Sequence, residues 1–435
     1  MTDPQFGLLC IAALLVLIAL RVPIGIALIG VSFLGLWELL NWRAAFGMLK
    51  NIPYNFGASW ELSSVPMFLL MGFLAYHSGL TKGLFDAARV WLVRLPGGLA
   101  IASIFGASGF AAVTGSSLAC AAAMGRIAVP EMERQGYNPA LATGTVAAAG
   151  TIGALIPPSI LFIIYGIIAQ VPIGALFLGG AAAGLLTALS YVFVVMIWVA
   201  LNPSAAPRLD ERYSLGEKLR RLVDVGPVLL LALLVFGGLF AGIFTPTEAG
   251  AVGAALCALI AIAQRRLTWH AFRSSLIESF TTSAAIFLIA IGANLLARFV
   301  TLSGADDLIL DAVNVISGNF ALLMLGVVVL YLVLGMFLDP LGAMLLTLPI
   351  LLPVARSLEF DLLWFGVILA KLLEIGMITP PIGLNVFIIR SVIGDRIKLG
   401  TIFKGVAFFL IADCVVVLLL IAFPPIVQFL PELLH

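Results

Sequence analysis

Gly153-Ala154-Leu155-Ile156-Pro157-Pro158 and Gly376-Met377-Ile378-Thr379-Pro380-Pro381 lie 223 residues apart, each inside an uncharged run. Proline lacks an amide donor and its ring clashes with the preceding turn, so two in succession interrupt a helix and leave carbonyls without helical partners. The same shift aligns Pro23 with Pro246 and Gly30 with Gly253, and sets Asp339 opposite Ser116. Helix breakers that recur at matching places in the order of apolar runs read as an internal duplication. The first copy is 1–222 and the second 223–435.

Working outward, 62% of the 435 residues are hydrophobic and 10% are charged. Globular chains carry about a quarter charged residues, so this composition excludes a cytosolic enzyme and a disordered chain, and places most of the chain in a lipid bilayer. With 23 basic and 22 acidic residues it is no strongly basic nucleic-acid binder. Cys10, Cys120, Cys257 and Cys414 stand singly in apolar runs, which gives neither a disulfide nor a zinc framework. His77, His270 and His435 form no metal-ligand spacing. GxxxxGK[ST] and HExxH are both absent, and Gly115-Ser116-Ser117 has no histidine to serve it. The reading is a non-enzyme without an organic cofactor, driven by an ion gradient.

A spanning helix needs about 20 apolar residues. Charge-poor intervals put spans at Pro4–Leu20, Val22–Trp42, Leu62–Gly79, Val225–Thr247, Ala249–Gln264 and Ser279–Ala297, and leave room for two between 135 and 207 with a turn at Gln170-Val171-Pro172. The opening MTDPQ lacks a basic n-region, so the first interval is expected as a retained span. Trp42–Trp60 and Lys82–Leu95 mix charge with apolar residues and read as interfacial amphipathic helices.

Cytoplasmic loops collect Lys and Arg. Arg208, Arg212, Lys218, Arg220 and Arg221 precede one helical hairpin, and Arg265, Arg266 and Arg273 follow it. Counting crossings from these two loops puts Arg21, Lys82, Arg89, Arg94, Arg390, Arg396, Lys398 and Lys404 inside. Asp306, Asp307, Asp311 and both termini fall outside, and so, against the trend, do Arg43 and Lys50. Five crossings per copy make the second copy upside down relative to the first, the plan of many secondary transporters.

Between Arg94 and Arg126 the uncharged run is too long for one span and is interrupted by Thr114-Gly115-Ser116-Ser117, which predicts a re-entrant hairpin with its tip there. Leu338-Asp339-Pro340-Leu341-Gly342 predicts a second tip. Freed carbonyls at membrane depth must be buried in protein or face a wet cavity. A small hard cation satisfies them, and half-helix N-termini beside the breaks suit a substrate carboxylate. The alternative is a kink packed by Gly and Ser contacts. Lys371 and Glu374, three apart on one helix, are expected to neutralise each other, with a proton relay as the rival reading. Glu248, Arg298 and Asp413 are expected near span ends, as anchors or pairing groups.

At VPMFLLMG (65–72), FAAVTGSSLACAAAMGRIAVPEMERQGYNPALATGTVAAAGTIGALIPPSI (110–160), FTPTEAGAVGA (244–254), LGMFLDPLGAMLLTLPILLPV (334–354) and LAKLLEIGMITPPIGLNVF (369–387) the chain resembles the large membrane (M) subunit of tripartite ATP-independent periplasmic (TRAP) transporters. The resemblance covers essentially the whole chain. It implies an all-α elevator-type importer, an inverted repeat of about five spans per copy with two re-entrant hairpins and two broken helices, that takes up an organic acid with sodium. It also implies one sodium site at Thr114, Gly115, Ser116 and Ser117 with Gly153, Ile156 and Pro158, and another at Gly335, Asp339 and Pro340 with Gly376, Thr379 and Ile382. Most of these would act through backbone carbonyls. Substrate would lie near Ser116, Ser117, Pro340 and Thr379. The implied partners are a separate four-helix small membrane subunit and a periplasmic substrate-binding protein, in a bacterial inner membrane. A stand-alone divalent-anion/sodium symporter and a passive channel are the alternatives.

Overall fold

The computed structural model describes residues 3–317 and 319–434; His435 and the first two residues of MTDPQ lie outside the described residues. The described chain is α-helical, with no strand. In chain order the helices are α1 (Asp3–Ala19), α2 (Ile24–Leu39), α3 (Trp42–Gly57), α4 (Ser64–His77), α5 (Gly83–Leu92), α6 (Gly98–Thr114), α7 (Ser117–Arg134), α8 (Pro139–Thr151), α9 (Ile160–Ala169) and α10 (Ile173–Leu201). They continue as α11 (Leu215–Phe240), α12 (Pro246–Ala263), α13 (Trp269–Ser303), α14 (Ala305–Ser317), α15 (Phe320–Phe337), α16 (Pro340–Ser357), α17 (Leu362–Gly376), α18 (Leu384–Ile393), α19 (Leu399–Ala422) and α20 (Pro425–Leu434). Seven of them, α10, α11, α12, α13, α15, α16 and α19, are long and apolar enough to cross a membrane. The chain is a multi-pass membrane protein.

Local chemistry sets the helix starts, because the first amides of a helix need acceptors that the helix does not supply. Ser214 with Glu217 and Thr245 with Glu248 form reciprocal capping boxes at the starts of α11 and α12. Glu248 is thus the span-end anchor expected of it. Asn138 caps α8 with Pro139 in its first turn, and Asp361 caps α17 by accepting from the amides of Leu363 and Trp364. Gln170, at φ +59°, closes α9 and turns the chain into α10 at the expected place. α3 and α5 occupy the two amphipathic stretches, and α3 is bent by 64° from the segment Glu61–His77.

Three expectations are corrected. The span expected at Val225 begins at Leu215, so Lys218, Arg220 and Arg221 sit in the first turns of α11, where the capping box pulls the helix start toward the polar loop. The span expected at Ser279–Ala297 is the middle of the 35-residue α13. Asp413 is fully buried in the interior of α19, not at its end.

α4 packs on α12 and α13, α2 on α13, and both α7 and α19 on α8. The α8–α19 contact runs backbone to backbone: a Cβ on Gly144 would stand 2.4 Å from the Gly405 carbonyl carbon. Helix bounds recur through the chain at the spacing of the two proline pairs. α7 and α16 begin and end 223 residues apart, and α8 and α17 begin 223 apart.

Candidate functional site

α6 stops at Thr114 because Gly115 takes φ +60°, its amide donating to the Ala111 carbonyl at 3.0 Å. The conformation also lets the turn seat against the first proline pair: a Cβ on Gly115 would stand 2.0 Å from the Pro158 carbonyl oxygen. Ser116 is extended and caps α7, its Oγ accepting from the Ala119 amide at 3.4 Å. From the other side Gly153 presses on the same turn, its absent Cβ falling 2.9 Å from Ser117 Cα and 3.0 Å from the Ser116 carbonyl oxygen. The fold therefore gathers Gly115, Ser116, Ser117, Gly153 and Pro158 at one place. Thr114 adjoins them with its hydroxyl donating back to Phe110 at 3.0 Å. Ile156 turns away, its side chain reaching toward Gly184 of α10.

After α8 the chain makes one tight turn over Ile152–Ala154, and the amides of Leu155 and Ile156 both donate to the Ile152 carbonyl, at 3.0 and 3.1 Å. Among the described residues no hydrogen bond reaches the carbonyl oxygens of 153–158, although all but the half-buried Ile156 are buried. Backbone groups in that position are rare in a folded interior. The second break behaves likewise. Met377 accepts from Asn385, but the carbonyls of 378–382 receive no hydrogen bond among the described residues. Both proline pairs are joined by cis peptides. The second break is more open, with Pro380 and Pro381 exposed where Pro157 and Pro158 are buried.

The second tip mirrors the first in chemistry. α15 ends at Phe337, and Asp339 caps α16, its Oδ2 accepting from the Gly342 amide at 2.9 Å with Pro340 in the first turn. Behind it Gly335 meets Gly376: its absent Cβ would lie 3.0 Å from Gly376 Cα, an approach that any larger residue would block. Gly335 and Gly376 are thus brought together. Thr379 donates its hydroxyl to the Ile375 carbonyl at 2.7 Å, and among the described residues neither Thr379 nor Ile382 is hydrogen-bonded to Asp339.

The two tips share one cavity of about 430 Å³. Thr114, Gly115, Ser116 and Ser117 line it together with Asp339 and Pro340, and residues of α4 and α13 complete the wall. Of the four expected substrate residues, Ser116, Ser117 and Pro340 are on the wall and Thr379 is not. Gly153, Ile156, Pro158, Gly335, Gly376 and Ile382 are also off the wall. Two N-termini, of α7 and α16, open on this space, and half-helix starts carry positive dipole ends. Its charged lining residues are acids, Asp339 and Glu374.

Glu374 is the residue sequence reasoning misassigned. The expected Lys371–Glu374 neutralisation is corrected: Lys371 Nζ pairs with Asp413 Oδ1 at 2.5 Å, and the Tyr191 hydroxyl donates to both Asp413 oxygens at 2.8 and 2.9 Å. Both Glu374 oxygens are left buried without a hydrogen-bond partner among the described residues, as is Ser117 Oγ on the same cavity wall. A sequence signal existed, since Asp413 is the lone charge between Lys404 and Glu432 and such an acid needs a base from elsewhere.

A family model described as "Tripartite ATP-independent periplasmic transporter, DctM component" matches residues 11–426. The chain is 35% identical over 336 residues to the C4-dicarboxylate TRAP transporter large permease protein DctM of Pseudomonas aeruginosa, covering 77% of this chain and 78% of that one. It is 32% identical over 418 residues to the sialic acid TRAP transporter large permease protein SiaM of Vibrio cholerae, covering 93% and 97%. Against the isethionate TRAP transporter permease protein DctMQ of Oleidesulfovibrio alaskensis it is 32% identical over 351 residues, 80% of this chain, and spans 55% of that longer protein. The crystal structure of the Alcanivorax borkumensis YdaH transporter shares the fold, with a TM-score of 0.59 at 15% identity over 89% of this chain and 91% of that one.

Proposed function

Since the chain belongs to the DctM-component family of tripartite ATP-independent periplasmic transporters, and is a transporter permease and not an enzyme, we propose that it imports an organic acid by sodium symport. The observation that carries this reading is the pairing of two capped helix tips at one cavity, each backed by a proline break with unpaired carbonyls. Sodium is a hard cation held by oxygens, and carbonyls without amide partners are such oxygens. The first site comprises Thr114, Gly115, Ser116 and Ser117 with Gly153, Ile156 and Pro158. The second comprises Gly335, Asp339 and Pro340 with Gly376, Thr379 and Ile382. The acid lies between the tips near Ser116, Ser117, Pro340 and Thr379, its charge met by the bound cations and by the starts of α7 and α16.

The matching bounds of α7 with α16 and of α8 with α17 support two inverted copies, 1–222 and 223–435. Inverted copies around a shared site allow alternating access by moving part of each copy against the rest, here as an elevator. The full system includes a small four-helix membrane subunit and a periplasmic substrate-binding protein, and sits in a bacterial inner membrane with both termini of this chain outside. Relatives whose names specify C4-dicarboxylate and sialic acid support an organic acid as cargo.

The test is uptake by proteoliposomes holding the large and small subunits, with binding protein outside. Uptake rises with an inward sodium gradient. Equal uptake in potassium buffer overturns sodium coupling, uptake unaffected by omitting the binding protein makes the chain a stand-alone symporter, and non-saturating currents make it a channel.

A further inference from the structure

The main cavity poses an electrostatic problem for the cargo proposed above. Its charged walls are Asp339 and Glu374, so an organic anion meets no cationic side chain there before sodium binds. A basic group stands nearby. α13 lines the main cavity as far as Ile289, and Arg298 lies further along the same helix, about 13 Å on at roughly 1.5 Å per residue. α9 makes the same connection, lining the main cavity at Ile160 and Leu161 and a second cavity at its other end.

That second cavity, of about 320 Å³, lies between α3, the end of α9 and α13. Arg298 is its only charged lining residue and takes part in none of the ion pairs among the described residues. Around it are Asn55, Ser59, Gln170 and Asn294. Ser59 Oγ is buried without a hydrogen-bond partner among the described residues. Asn294 donates to Ala290 at 3.1 Å. A guanidinium offers paired donors in the geometry of an oxyanion, and a hydroxyl and amides beside it can add more. Arg298 is exposed and lies five residues before the end of α13, so its guanidinium stands at the mouth of this cavity, where an arriving anion meets it.

We propose that this second cavity binds the anionic oxygens of the transported acid, a carboxylate or sulfonate, before the acid enters the cavity between the tips. The inference rests on the organic-acid reading above, and its test is a binding measurement that needs no transport. The complex is placed in phosphatidylcholine nanodiscs with Cys10→Ser and Cys414→Ser, leaving the buried Cys120 and Cys257, and with Asn55→Cys as a reporter on the cavity wall. Modification rates with an anionic ethylsulfonate thiosulfonate and its trimethylammonium counterpart are each normalised to a free thiol. The sulfonate reagent gains about fivefold or more over the cation, as a focused positive site requires. Arg298→Gln removes the gain, and Arg298→Lys, which keeps the charge and guards against misfolding, restores most of it. Normalised rates that do not depend on Arg298 overturn the proposal. A gain that vanishes when phosphatidylglycerol is added to the disc also overturns it, assigning the cavity to a lipid headgroup. Loss of the gain with sodium-driven uptake intact removes this site alone, whereas failure of uptake with the gain intact removes the sodium reading.

Discussion

Lys371 of α17 and Asp413 of α19 form an ion pair with both side chains fully buried, 2.5 Å from Nζ to Oδ1. Tyr191 of α10 closes the group, its ring lying 5.6 Å from the ammonium while its hydroxyl serves the carboxylate. The pair thereby ties the helix that carries the second break to the helix that supports α8, which leads into the first.

Breaking such a pair from one side strands a charge, which typically costs about 3 to 5 kcal/mol, whereas replacing both partners with apolar residues is often neutral. Asp413→Leu and Lys371→Met should each lower the unfolding temperature in detergent strongly. The double variant Lys371→Met with Asp413→Leu should recover most of it. Additive losses in the double variant would show that the two groups do not act as a pair.

Glu374, unlike its neighbour Lys371, makes no ion pair among the described residues, so its neutral form strands no charge. Glu374→Gln should leave thermal stability unchanged or raised, while sodium-driven uptake falls about tenfold or more, because an ionisable group kept at a cavity wall inside the membrane is retained for transport. Unchanged uptake would reduce Glu374 to a packing residue.

Asp339 has a structural duty that must be separated from cation binding. Asn preserves an N-cap and Ala does not, the loss being about 1 kcal/mol. Asp339→Ala and Asp339→Asn should both raise the sodium concentration for half-maximal uptake, while only Ala lowers stability. If Asn behaves as wild type in sodium dependence, Asp339 is a cap alone.

Gly115→Ala adds a Cβ where 2.0 Å separates it from the Pro158 carbonyl oxygen, at a positive φ that already disfavours any side chain. The tip must lift from the break. Folded protein should still be recovered, with sodium-dependent uptake reduced about tenfold or more, since a shift of about 1 Å is enough to spoil a positioned site. Wild-type uptake would detach the tip from the site.

Outside the membrane, Glu211 accepts from Tyr213 at 2.6 Å and pairs with Arg89 at 2.9 Å, and these two partners hold its carboxyl below the ordinary 4.5. A depressed carboxylate contributes stability above its unfolded value and loses it as pH falls through the folded one. Protease cleavage between α10 and α11 should therefore stay slow at neutral pH and rise only below the ordinary carboxylate range. Glu211→Gln should make it fast at neutral pH. Cleavage independent of both pH and Glu211 would leave the contact without effect.

Much of this site was legible in the chain. Uncharged runs too long for one span, interrupted at Thr114-Gly115-Ser116-Ser117 and at Leu338-Asp339-Pro340-Leu341-Gly342, place both turns, since solvation cost is a local property. The proline pairs interrupt helices wherever they occur. Partners across the fold were not legible. Helix spacing alone pairs Lys371 with Glu374, its neighbour on one helix, and no local rule brings Asp413, 42 residues on, into the same pocket. Arg298 stands near the end of α13, as its place in the sequence suggests, but the cavity beside it is walled by three helices far apart in sequence and has no local signal.

The sequence by itself determined that the chain spans a membrane and where its helices break, because solvation cost and the missing proline amide are local properties. The tertiary structure alone decided that the two tips share one cavity, that Gly335 can touch Gly376, and which acid keeps Lys371. Those depend on how closely helices approach, and that distance is set by packing between segments that no local rule brings together.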